Sequence, residues 1–169
     1  MIWKRLSMSS DISSGRYKCI GYRIGDTYCL SPSLAVNAIT QVPVSPTQVP
    51  GTKPWLLGAT KLDGDIIPFV NIARFLSIPQ TMSRAEHSNP VALIVRGGAD
   101  VGDVGVIVDQ VVGFIPSGNL TDAPNANLKI PPGLGACLVG VVTGDARTWA
   151  VIDIQALIAD PKMQTIDLT

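Results

Sequence analysis

Apolar and polar positions in "YKCIGYRIGDTYCL", from Tyr17 to Leu30, fall into two short runs around Gly25-Asp26, which predicts two strands joined by a tight turn. In that hairpin Ile24 faces Thr27 and Tyr22 faces Cys29, so Cys19 and Cys29 are not opposite one another. The following "SPSLAVNAITQVPV" has apolar Leu34, Val36 and Ile39, but Pro32 forbids a long helix, so a short turn precedes a strand. Pro46, Pro50 and Pro54 then exclude a helix interior or a central strand and predict a stiff, extended connector.

"WLLGATKLDGDIIPFVNIARFL", from Trp55 to Leu76, reads as an apolar run, a Gly/Asp turn, a second apolar run and a brief helical signal. Without a gap, "CLVGVVTGDARTWAVIDIQALI" from Cys137 to Ile158 repeats it, matching Leu56 to Leu138, Gly58 to Gly140, Asp63 to Asp145 and Ile72 to Ile154. Two small β units of similar design are expected from that repeat. The polar stretch from Ser77 to Pro90 has no apolar period and marks the expected boundary between lobes. "VALIV" and "VGVIVDQVVGFI" resume the strand pattern on either side of a glycine-rich turn, "RGGADVGD". The expected organisation is a tail at 1–14, a domain at 15–160 with lobes at about 15–88 and 89–160, and a frayed end at 161–169.

At 169 residues, the chain is long enough to bury about 70% of its unfolded surface, with no need of disulfides. Charged residues make up 15% against 46% hydrophobic, a surface poor in charge, whose surplus apolar area points to protein partners. Apolar runs are short and broken by Gly and Pro, which excludes a helical membrane span. Zero net charge without a basic stripe removes the term that drives nucleic-acid binding. The first residues lack the apolar core of a secretory signal, so a cytoplasmic chain is expected. Cys19, Cys29 and Cys137 then read as small buried thiols.

Candidate chemistry adds little. His87 has no Cys or His at ligand spacing, so neither a metal nor a cofactor is expected. "RGGADVGDVG" lacks the Gly-Lys-Ser/Thr of a phosphate loop. One aspartate per repeat, Asp63 and Asp145, raises an aspartic-hydrolase dyad, but Gly64-Asp65 and Ala146-Arg147 come next where Thr or Ser and then Gly belong. Turn aspartates bonded to their own backbone explain both positions without catalysis.

The stretch "VPGTKPWLLGATKLDGDIIPFVNIARFL" resembles the CheW-like family of chemosensory coupling proteins in the order of its Pro, Trp, Gly and turn residues. The likeness continues at "YRIGDTY", "VGVIVDQVVGFIP" and "LVGVVTGDARTWAVIDIQALI", covering roughly Tyr17 to Ile158. Pro50 to Trp55 is most similar to the PilI-type adaptors of type IV pilus systems. The resemblance implies an all-β fold of two SH3-like, roughly five-stranded barrels packed together. It also implies a non-enzymatic adaptor that links a CheA-type histidine kinase to the cytoplasmic tip of a chemoreceptor, or that binds other CheW-like proteins.

On that resemblance Leu34, Val36, Ile39, Lys61 and Asp63 are the receptor-facing candidates, and Val106, Val108 and Val111 the kinase-facing ones, with ordinary barrel core the alternative for the apolar residues and a solvated turn the alternative for Lys61 and Asp63. One departure bears on partner choice. Where the family carries Asn-x-Arg-Gly, this chain has Lys61-Leu62-Asp63-Gly64, an acid in place of a cation, and Asn71 replaces the aspartate of the following strand.

Overall fold

The computed structural model describes residues 17–44, 46–48, 50–78, 90–98 and 102–164. Its first hairpin pairs β1 (Lys18–Ile24) with β2 (Thr27–Pro32), with Tyr22 opposite Cys29 and Ile24 opposite Thr27 as expected. Gly25 at φ 60° supplies the left-handed conformation that the first turn position requires. A 3-10 turn at Ser33–Ala35 leads into β3 (Val36–Gln41).

The two repeats fold alike. The first is β4 (Leu56–Leu62), β5 (Asp65–Asn71) and α1 (Ile72–Phe75). Between them in sequence come β6 (Val91–Val95), β7 (Val104–Val108), β8 (Gln110–Pro116), β9 (Thr121–Asp122) and α2 (Pro132–Gly135). The second repeat is β10 (Leu138–Gly144), β11 (Arg147–Ile152) and α3 (Ile154–Ile158). Pairing slips at Leu56/Gly58 in one hairpin and at Leu138/Gly140 in the other. Asn71 and Asp153 each end a strand and cap the helix after it, accepting from the backbone N–H of Arg74 and Ala156.

Both repeats turn through two residues of positive φ, Asp63 at 49° before Gly64 at 89°, and Asp145 at 53° before Ala146 at 59°. Ala146 carries a Cβ in a conformation that costs an L-residue about 1–2 kcal/mol, partly offset in glycine by its greater chain entropy. Ala146→Gly is therefore expected to stabilise the protein by about 0.5–1 kcal/mol and raise Tm by roughly 2 °C. A Tm in calorimetry that falls instead would show that the turn is not held in this conformation.

Strands assemble into two sheets, ordered β8-β1-β2-β11-β10-β9 and β3-β6-β7-β5-β4. This division differs from the expected split at residue 88: the N-terminal hairpin joins the C-terminal strands, and β3 to β7 make the other sheet. Parallel contacts between β2 and β11 and between β5 and β7, which no turn residue announces, create that arrangement. Five strands of the six-stranded sheet send Cys19, Leu30, Ile115, Val142, Trp149 and Val151 into one cluster, which requires that sheet to curl around it. Ile67, Phe69, Ala92, Ile94 and Ile107 do the same for the other sheet. Alternate residues point the opposite way, so Tyr22, Cys29, Val70, Leu93, Val106 and Ile152 share a third core between the sheets.

Within that shared core the Tyr22 hydroxyl lies 2.8 Å from the Ser31 hydroxyl, which donates to the Ile152 carbonyl at 2.8 Å. With the serine proton committed, Tyr22 donates to Ser31, and three strands are joined through one satisfied polar chain. The expected frayed end is corrected in part. Residues Pro161–Gln164 form a further helix, α4, and Met163 is 3% exposed in the shared core. Asp160, accepting from the Lys162 backbone N–H beside Pro161, is a helix-start signal. The expected tail at 1–14, residues 165–169 and His87 in the boundary loop lie outside the described residues.

Candidate functional site

The two sheets follow one plan, and their edges correspond. Val151 sits beside Leu30 in one sheet and its repeat partner Phe69 beside Gly105 in the other. Following registers outward, Leu30 pairs with Gly21 and Gly21 with Gly113, while Gly105 pairs with Ile94 and Ile94 with Ala38. The next residue outward along each edge strand is Phe114 on β8 and Ile39 on β3. Both are exposed, at 58% and 39%. One residue before Gly113 and Ala38 each strand bulges, at Val112 and at Asn37. Beyond the bulges, Val111 and Val36 are equivalent, and both are partly buried against the shared core.

Proline and bulge together shape the β3 edge. Pro32 ends β2, the 3-10 turn lifts Leu34 outward to 59% exposure, and the bulge leaves Asn37 and Ala38 exposed in succession. The Asn37 amide donates to Asp103 at 2.6 Å, and Asp103 also accepts from the Gly97 N–H at 3.1 Å, which ties this edge to the loop before β7. Lys61 and Asp63 are exposed on and beside the turn that joins β4 to β5. The receptor-facing candidates thus divide into exposed Leu34, Ile39, Lys61 and Asp63, and half-buried Val36.

For the kinase-facing candidates the structure corrects the choice of residues. Val106 and Val108 are 0% and 2% exposed. Their strand is central in its sheet and buried along its whole length, so its alternating pattern leads to two cores and neither side chain is available to a partner. Val111, past the crossover into the other sheet, keeps partial exposure. Phe114, like Ile66 and Val44, is an exposed apolar residue that sequence reading passed over, and nothing local in the sequence distinguishes it from a core position.

Asp109 makes the crossover between β7 and β8. Its carboxylate accepts from the Gly25 N–H at 2.6 Å and its own N–H donates to the Arg23 carbonyl at 3.0 Å, while the Arg23 guanidinium donates to the Gly25 carbonyl at 2.6 Å. Arg23 is only 8% exposed, so a buried cation and a turn carboxylate lock the first hairpin to the strand that leads to the β8 edge.

A proton-sharing pair needs two carboxylates within hydrogen-bonding distance, whereas Asp63 and Asp145 are exposed in the turns of hairpins belonging to different sheets. Burial pushes the Cys19 thiol up to about 12 and raises Cys29 further still. Cys137 is raised by burial and then by Asp153 and Asp160. All three cysteines are buried free thiols, held in the protonated, unreactive form. Among the described residues no group of three His, Cys, Asp or Glu is placed to hold a metal, and no helix is long and apolar enough to cross a membrane.

Two curled sheets on a shared core, with corresponding apolar edges, define the class of fold. The chain belongs to the CheW-like domain family, which matches residues 18–162. It is 31% identical to "Chemotaxis protein CheW" of Thermotoga maritima over 115 residues, 68% of this chain and 70% of that protein. It is 30% identical to "Protein PilI" of Pseudomonas aeruginosa over 95 residues, 56% of this chain, and the match spans half of that relative. The scaffolding protein TtCheW of Thermoanaerobacter tengcongensis has the same fold, with a TM-score of 0.65 over 86% of this chain and 94% of that one at 19% identity.

Proposed function

We propose that this protein is a non-enzymatic adaptor that joins a CheA-type histidine kinase to the cytoplasmic tip of a chemoreceptor, in a chemosensory system of the type IV pilus kind. The observation that carries the proposal is the pair of corresponding sheet edges, one presenting Leu34 and Ile39 and the other Phe114. Separate attachment surfaces on one packed body let a scaffold hold two partners at a fixed distance. Family membership supports the scaffold role, and the PilI relative supports the pilus setting.

In this reading the β3 edge and the Lys61–Gly64 turn receive the receptor, while the β8 edge with Val111 and Phe114 receives the kinase. Asp63, standing where relatives carry arginine, favours a receptor surface that offers a cation. An auxiliary subunit that binds kinase or other adaptors without a conventional receptor is the second reading that this acid favours.

Separability tests the proposal. Ile39→Lys should weaken receptor-tip binding about tenfold or more while sparing the kinase, and Phe114→Lys should do the reverse. Both positions are exposed, so the variants are expected to fold, and circular dichroism checks it. Asp63→Arg should shift preference from the native receptor towards one suited to arginine, and the native interaction should weaken with added salt. Unchanged titrations of both partners against both lysine variants would show that neither edge is an attachment surface.

A further inference from the structure

Trp55 and Phe75 stand edge to face, with ring centroids 5.2 Å apart and planes at 90°. Trp55 lies in the turn just before β4 and Phe75 in α1, and both are only partly buried against the shared core. Together with Pro161 they wall a groove of about 490 Å³ whose remaining lining residues are Lys53 and Lys162. The Trp55 carbonyl accepts from the Asn71 N–H at 2.8 Å, which fixes the tryptophan backbone at the open end of the β4–β5 hairpin. The Lys61–Gly64 turn is at the other end of that hairpin, about 20 Å away by strand length. None of the lining residues lies on β3 or β8, so the groove is distinct from the two edges assigned to receptor and kinase, and a role for it does not rest on that assignment.

Among the described residues no carboxylate forms an ion pair with Lys53 or Lys162, on a surface otherwise poor in charge. An aromatic wall with a charge of one sign on its rim is complementary to an apolar anchor carrying charges of the opposite sign. We infer that this groove docks an acidic segment of a partner protein, with an apolar side chain seated against Trp55 and Phe75 and flanking carboxylates paired with Lys53 and Lys162. Buried aromatic contact would provide most of the affinity, and the two lysines would select the sign of the partner.

The probe is a fluorescent acidic peptide, DDELFED, with its charge-reversed twin KKKLFKK, titrated by anisotropy against the full chain. Saturable binding of the acidic peptide alone is expected. The double variant Lys53→Glu/Lys162→Glu should weaken it about tenfold and admit the basic twin, because two attractive contacts become repulsive. Lys129→Glu, an exposed charge change outside the groove, should leave binding unaltered. No saturable binding below about 1 mM would overturn the inference, since such a contact is too weak to guide assembly. Equal binding by wild type and double variant would also overturn it. Tighter binding by a chain ending at Gln164 would assign the groove to the chain's own C-terminal residues instead of a partner.

Discussion

Trp149→Ala should cost about 4 kcal/mol of stability, because a fully buried tryptophan leaves both a cavity and a lost hydrogen bond. Trp149 is 0% exposed at the centre of the cluster inside the six-stranded sheet, and its indole N–H donates to the Gly144 carbonyl at 3.0 Å. Its ring meets Tyr28 edge to face at 5.8 Å, and Arg147 lies over Tyr28 at 4.6 Å. Against a total stability of about 5–15 kcal/mol, the loss should lower the urea midpoint by about 2 M. Trp149→Phe should retain most of the packing and lose about 1–2 kcal/mol, chiefly from the hydrogen bond. Urea unfolding followed by far-UV circular dichroism measures both. A loss below about 1 kcal/mol in the alanine variant would mean that the sheet does not curl around this residue.

Gly105→Ala is expected to cost about 3 kcal/mol despite adding a single methyl group. A Cβ at that position would lie 2.5 Å from Cδ1 and 2.6 Å from Cε1 of Phe69, whose ring is itself 1% exposed. The two residues are neighbours in the parallel contact of β5 with β7, so neither strand can retreat without breaking the ladder that builds its sheet. Phe69→Leu in the same chain should recover part of the loss, as the smaller side chain vacates the space the new methyl needs. Chemical denaturation of the four members of this mutant cycle gives the coupling directly. Strict additivity of the two substitutions would contradict the close approach.

Local chemistry explains which parts of this fold could be read in advance. Gly25-Asp26 and Asp63-Gly64 signal hairpins because few residues accept positive φ, and the second repeat reveals itself by matching the first. The pairing of β2 with β11 has no such signal, since parallel neighbours distant in sequence are chosen by burial and not by a turn. For the same reason, Val106 and Val108 read equally well as surface or core: the sequence "VGVIV" marks apolar positions without saying that both faces are covered. Leu34 and Ile39 are legible as apolar residues, but the exposure of Leu34 depends on the 3-10 turn before β3 and that of Ile39 on a bulge that shifts register by one residue. Phe114 was hidden because its equivalence to Ile39 exists only once the sheets are assembled.

The interleaved order of the strands has a consequence for how the chain reaches its native state. Ser31 bonds to Ile152 across 121 residues, so the β1–β2 hairpin is completed only by a strand that is synthesised long after it. Strands β3 to β7 are contiguous in sequence and can close their own sheet in the interval. Until β11 arrives, β1 and β2 hold an open hydrogen-bonding edge and apolar side chains without their final neighbours. High contact order of this kind slows folding and leaves nascent strands open to aggregation, a cost that comes from the topology itself.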